Sequence, residues 1–218
     1  MQPDFSTLLE ELKEMCELSG DKIVIIGGVA VYLWTQFKLD EEPETSHDVD
    51  FSISQDAFYE LKNCYDTTSN ERLKKHQFLH KKIEFDVYVE NMSHLAVDFQ
   101  ELFDQSTCYK GFRLASPVHL FQLKIRAAID RAGSGKGHKD VRDLIKILRL
   151  VLQEGLVNDL KSVISKKEIE FLKENITFNV LKEYMNSNFA KASVLRKELE
   201  QLWVILEKGV DFGNPYRH

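Results

Sequence analysis

Three aspartates carry the chemistry that can be read from this chain of 218 residues. Asp48 and Asp50 stand two apart in Asp48-Val-Asp-Phe-Ser-Ile53, where Val49, Phe51 and Ile53 alternate with polar positions as a half-buried strand requires. Period two aims both carboxylates at one face. Two carboxylates side by side repel unless something positive lies between them, and hard oxygen donors of this kind suit Mg²⁺ bridging to the phosphates of a nucleotide. A third carboxylate belongs on a neighbouring strand, and Ile83-Glu-Phe-Asp-Val-Tyr-Val89 supplies it. There Ile83, Phe85, Val87 and Val89 make the apolar face, and Asp86 lies on the other with Glu84 and Tyr88.

A second stretch supplies a place for phosphate. Lys22-Ile-Val-Ile-Ile-Gly-Gly-Val-Ala-Val31 is a short β-branched run that stops at two glycines and restarts as an apolar helical pattern, so it reads as strand, tight turn, helix. With no side chain at Gly27 or Gly28, an anion can approach the helix N-terminus, where free N–H groups point outward. A left-handed backbone is expected at Gly28, so a β-branched side chain there would block the approach.

Taken in order, Gly27-Gly28, Asp48-x-Asp50 and Asp86 resemble the nucleotidyltransferase superfamily with the polymerase β-like catalytic core. Gly27-Gly-Val-Ala30 is similar to the branch that contains AbiEii-type toxins, minimal nucleotidyltransferases and some antibiotic nucleotidyltransferases. The resemblance covers residues 20–150 and reaches the rest only through its helical character. It implies Mg²⁺-dependent transfer of a nucleoside monophosphate from an NTP donor, at a two-metal site. Asp48, Asp50 and Asp86 would be the metal and catalytic residues, with Asp86 also positioning the nucleophile. Gly27, Gly28 and Lys124 would hold the triphosphate, joined by Lys139 of the Lys139-Asp-x-x-Asp143-Leu element. Ser46 takes the position where this branch carries Thr, whereas Glu44 stands where a basic residue is usual. That exchange leaves the acceptor open: an RNA end, tRNA for toxin-like relatives with an antitoxin-like protein partner; a small aminoglycoside-like cation; or a protein hydroxyl. A reading of another class is a non-catalytic module that binds nucleotide or a partner.

The expected fold class is α+β, an α/β N-terminal core with a mixed sheet flanked by helices, followed by an all-α helical domain. Ser116-Pro117 is a helix-start signature and everything after it has helical period, so the expected domains are 1–115, the catalytic core, and 116–218, the helical domain. Charge divides similarly. Residues 1–115 hold 11 Lys/Arg and 22 Asp/Glu, 116–150 hold 8 and 3, and 151–218 hold 10 and 10, giving −11, +5 and 0 within a total of −6. The basic band following a metal-binding constellation favours phosphate contact.

Apolar spacing predicts helices over 5–18, 29–37 with Trp34 in the core, 54–61 and 97–103, a strand over 76–80 turning at Lys81-Lys82, and a hairpin around Gly111. Thr67–Glu71 reads as a turn and Leu39–Ser46 as an acidic exposed loop that brings Glu41, Glu42 and Glu44 to the mouth of the site. Gly133–Gly137 reads as a flexible loop, like a P-loop only in composition, with the next helix starting at His138. His76 and His80 lack an accompanying ligand pattern and read as surface or satisfied core histidines. Cys16, Cys64 and Cys108 are an odd number without C-x-x-C spacing, which argues against a disulfide framework or a zinc site. Hydrophobic residues make up 43% of the chain without a run long enough to span a bilayer or a signal-like start, so no membrane and a cytoplasmic location are expected.

Overall fold

In the computed structural model, which describes residues 4–20, 22–39, 46, 48–71 and 74–208, the four β-branched residues Ile23–Ile26 form strand β1. All four are buried, the mark of a strand covered on both faces. β2 (Asp48–Ile53) pairs antiparallel with β1, and β5 (Ile83–Val89) pairs parallel with β2. β4 (Lys75–His80) runs antiparallel to β5, and β3 (Thr68–Asn70) antiparallel to β4. On the other side β7 (Phe112–Leu114) is parallel to β1 and carries β6 (Thr107–Tyr109) outside it. The sheet is therefore mixed, in the order β3-β4-β5-β2-β1-β7-β6. Thr67–Glu71 corrects the sequence expectation: its polar residues look like a turn, but Thr68, Ser69 and Asn70 add an edge strand, which solvent lets a polar segment form.

Helix α1 (Phe5–Leu18) buries Leu8, Leu12, Met15 and Cys16, spaced for one face, and Asp4 caps it by accepting from the Thr7 N–H at 2.8 Å. α2 (Gly27–Trp34) follows β1 directly and ends in a π-helical turn over 35–39. Trp34 is buried as expected, and its indole N–H donates to the Ala115 carbonyl at 2.8 Å, satisfying the one polar atom that burial would otherwise strand. α3 (Gln55–Cys64), capped by Ser54, puts Phe58 4.5 Å from the His76 ring. His80 bonds Glu11 at 3.1 Å, so both histidines are occupied structurally. The core between sheet and helices is built on Phe51, Phe58, Phe85, Leu12 and Met15.

After α4 (Phe99–Asp104) and the β6–β7 hairpin, α5 (Pro117–Asp130) starts at Pro117 with the Ser116 hydroxyl accepting from the His119 N–H at 3.2 Å. The remaining helices are α6 (Gly135–Gln153), α7 (Val157–Val163), α8 (Lys166–Asn175), α9 (Phe178–Tyr184) and α10 (Phe189–Glu207). The chain divides into two compact units, Met1–Lys124 and Ile125–His218.

In the second unit the glycine-rich 133–137 stretch is a helix start rather than a loop. Ser134 caps α6 by accepting from the Gly137 N–H at 3.1 Å, and a Cβ on Gly137 would lie 2.3 Å from the Arg131 carbonyl oxygen. Gly137 is there for close packing. Part of the basic band is spent inside the same unit: Arg131 pairs with Asp140 at 3.3 Å, the buried Lys146 with Asp143 at 3.8 Å, and Arg149 donates to the Tyr184 hydroxyl at 3.0 Å. Among the described residues no helix is long and apolar enough to cross a membrane.

Candidate functional site

The register of three adjacent strands assembles the site. Ile26 of β1 is opposite Asp50 of β2, and Asp50 is opposite Asp86 of β5, with Asp48 opposite Glu84. Partners in register share a face, so Asp48, Asp50, Glu84 and Asp86 all lie on the side of the sheet away from Val49, Phe51, Phe85 and Val87, which are buried. The apolar positions anchor the two strands and thereby fix where the carboxylates point.

The residue after Ile26 is Gly27, the first of α2, with φ +65°. A Cβ there would lie 2.2 Å from Asp50 Oδ2 and 2.8 Å from its Cβ and Cγ. Asp50 thus occupies the space that any side chain at position 27 would need, and glycine is required by both the space and the left-handed backbone. The sequence expectation placed that backbone at Gly28. In the structure Gly28 is an ordinary helical residue of α2, because the chain turns one residue earlier, straight out of β1. The N-terminus of α2 has no side-chain cap, which leaves first-turn N–H groups and the positive end of the helix beside Asp50 for an anion.

Burial pushes the Asp50 carboxyl up, reinforced by Asp48 and then Asp86, and the opposing charges of Lys124 and Lys75 leave it at about 6. Asp48 is oriented by the buried Ser46, whose hydroxyl donates to Asp48 Oδ1 at 2.8 Å. Asp86 is held differently. Lys75 Nζ of β4 bonds its Oδ2, and Gln77 Nε2 donates to its Oδ1 at 2.7 Å and to Glu84 Oε1 at 2.9 Å. Asn70 Nδ2 of the edge strand in turn donates to Gln77 Oε1 at 3.0 Å.

Of the residues singled out from the sequence, Gly27, Asp48, Asp50 and Asp86 meet at one end of the central strands, Ser46 touches Asp48, and the Lys124 charge acts on Asp50. Gly28 lies in the first turn of α2. Lys139 is half-buried on α6 of the second unit. Glu41, Glu42 and Glu44 fall outside the described residues. Sequence reasoning missed Lys75 and Gln77. Their signal was present: a two-residue turn at Lys81-Lys82 pairs His80 with Ile83 and so pairs Gln77 with Asp86.

The donor set fits a hard divalent cation. Asp48 and Asp50 offer only oxygen, sit partly desolvated on one face, and repel until a cation relieves them. Among the described residues no group of three His, Cys, Asp or Glu side chains forms a ready-made metal cage.

No protein-family model matches the chain, and no curated protein matches it in sequence. Among solved structures, the Megavirus polyadenylate synthase aligns with 68% of the chain at a TM-score of 0.51 and 13% identity, and the chain spans 32% of that protein's length. An antigenic nucleotidyltransferase-like protein from Paracoccidioides brasiliensis aligns over 92% of both chains at a TM-score of 0.49 and 18% identity. The antibiotic-resistance factor ANT(2'')-Ia covers 94% of this chain and 97% of its own at a TM-score of 0.46 and 11% identity. Below a TM-score of 0.5 the last two are general resemblances. What this chain has in common with the matched third of the polyadenylate synthase is its fold.

Proposed function

We propose that the chain is a Mg²⁺-dependent nucleotidyltransferase that moves a nucleoside monophosphate from an NTP to an acceptor hydroxyl. The observation that carries this reading is the Asp50–Asp86 register beside Gly27, whose positive φ opens the uncapped N-terminus of α2 next to two carboxylates. The fold common to the polyadenylate synthase supports it. Asp48 and Asp50 would hold the cation, with Ser46 fixing Asp48; the α2 N-terminus at Gly27 and Gly28 would receive the phosphates; Lys124 would contact the triphosphate. When bound, Mg²⁺ supplies Lewis acidity at the α-phosphate and balances the charge of the departing pyrophosphate. The acceptor oxygen forms a bond to the α-phosphorus, the bond from that phosphorus to the bridging oxygen breaks, and pyrophosphate leaves. Asp86 would orient the acceptor hydroxyl and take its proton: Lys75 and Gln77 engage one lone-pair direction on each oxygen, and a carboxylate has about four.

The acceptor proposed is an RNA end. It is favoured by the +5 charge of residues 116–150, of which Arg126 and Lys136 are exposed. The −11 charge of residues 1–115 favours a small polycation of the aminoglycoside kind as the second reading. Incubation with each α-labelled NTP, Mg²⁺ and either tRNA, total RNA or aminoglycosides, followed by mass spectrometry, decides between them. The expected result is an acceptor heavier by one nucleotide residue, lost in Asp50→Asn. Tight Mg²⁺-dependent NTP binding with all acceptors unmodified would leave a binding module instead.

A further inference from the structure

We propose that Lys75 is a built-in positive charge of this site, paired with Asp86, so that the chain takes up one divalent cation with its nucleotide, on Asp48 and Asp50, rather than two. This rests on the nucleotide-binding reading above and deepens it. A second cation beside Asp48 and Asp50 would need a further carboxylate, and Asp86 is the buried one next to Asp50 in register. Each of its oxygens has one partner, Lys75 Nζ on Oδ2 and Gln77 Nε2 on Oδ1 at 2.7 Å, which leaves room to accept from a hydroxyl but sets an ammonium against any second cation.

The arrangement is held from behind. Gln77 cannot turn its amide away without breaking its bonds to Glu84 at 2.9 Å and Asn70 at 3.0 Å, and Asn70 is itself opposite Lys75 in the β3–β4 ladder. The Lys75 and Asp86 side chains are only 10% and 9% exposed, so their attraction is little screened, and a cation entering at Asp86 would have to leave the displaced ammonium buried beside it. The charge balance agrees. Asp48, Asp50, Glu84 and Asp86 bring four negative charges to this face, and Lys75 and Lys124 act on Asp50 from the positive side, so a single divalent cation already brings the face to neutrality before the triphosphate enters. Lys75 is therefore a positioning residue. It holds Asp86 as an oriented acceptor and replaces the charge of a second metal.

The test counts Mn²⁺ bound per chain by metal analysis after equilibrium dialysis with a non-hydrolysable α,β-methylene NTP, for wild type, Lys75→Met and Lys75→Arg. Expected are one ion for wild type, two for Lys75→Met, whose Asp86 is freed to bind metal, and one for Lys75→Arg, which keeps the charge. Without metal Lys75→Met should also melt lower than wild type, and saturating Mn²⁺ should raise its melting temperature by more than it raises that of wild type. A merely structural lysine would lower the melting temperature and leave the count at one. Two ions in wild type, or one in Lys75→Met, overturns the proposal while the nucleotide site stands. No ion in wild type overturns the site itself and the proposal with it. Should Lys75→Met fail to fold, Asp86→Asn decides: one ion retained at an affinity within about threefold of wild type supports the proposal, and loss of that ion overturns it.

Discussion

Asp50→Asn should stabilise the metal-free protein at neutral pH while abolishing its response to Mg²⁺. Burial, Asp48 and Asp86 raise the Asp50 carboxyl from an ordinary 3.8 to about 6, so the folded chain holds this proton more tightly than the unfolded chain does. Below about pH 4 both states are mostly protonated and the group costs almost nothing. As pH rises toward 6 the unfolded chain ionises first and stability falls; above 6 both are ionised and the whole penalty is present. A rise from 3.8 to about 6 corresponds to about 3 kcal/mol, at roughly 1.4 kcal/mol for each tenfold change in proton affinity, and partial solvent access to the side chain reduces this to about 1–2 kcal/mol. Asn removes the ionisation and keeps the shape. Urea melts in a chelator at pH 4, 5, 6 and 7.5 should therefore show the variant gaining on wild type as pH rises, from little difference at pH 4 to about 1–2 kcal/mol at 7.5. With Mg²⁺ and nucleotide at pH 7.5 the order should reverse, because ligand stabilises only the form that binds it. A variant less stable at pH 7.5, or a difference independent of pH, would refute the electrostatic account of Asp50.

Gly27→Ala forces a Cβ to 2.2 Å from Asp50 Oδ2 at a backbone of φ +65°, and should cost about 1–3 kcal/mol in chemical melts and remove metal-dependent NTP binding by calorimetry. A stable variant with wild-type binding would contradict it. Gly137→Ala should destabilise the second unit although alanine is the better helix former by about 0.5–1 kcal/mol, because a contact of 2.3 Å to the Arg131 carbonyl costs about 1–3 kcal/mol. A raised melting temperature would show that the α6 start relaxes freely. Lys124→Ala should weaken NTP binding by about 10 to 150-fold while changing stability by no more than about 0.5 kcal/mol. Unchanged affinity in titration calorimetry would show that this lysine acts on Asp50 without reaching the triphosphate.

The parts of this site that the sequence displays are those written in a single period. Alternation in 48–53 and 83–89 gives strands whose polar positions share a face, since Val49, Phe51, Phe85 and Val87 can be buried in only one way. Ser54, Ser116 and Asp4 announce helix starts because each has a hydroxyl or carboxylate placed to accept a first-turn N–H. The left-handed turn was legible to within one residue. Choosing Gly27 over Gly28 required knowing that Asp50 from another strand fills the space beside it, which no local pattern contains. Ser134 offered the same helix-start signal as Ser54, but three glycines nearby weighed as a loop, and the need for Gly137 comes from the Arg131 carbonyl that it faces.

Lys75 and Gln77 show where a little more was within reach. A two-residue turn at Lys81-Lys82, with φ of 47° and 67°, is the hairpin geometry that fixes register, so the pairing of Gln77 with Asp86 follows from the turn alone. What does not follow is that Lys75, two residues further on, reaches back along the diagonal to the same carboxylate. Cross-strand diagonals lie within reach of long side chains, but many partners compete for them, and the burial of this pair, which decides among those partners, is a tertiary fact that no local pattern contains. The polar edge strand that looked like a turn is thus part of the site's construction: through Asn70 it steadies Gln77, and through Gln77 it steadies the carboxylate on which the proposed acceptor chemistry depends.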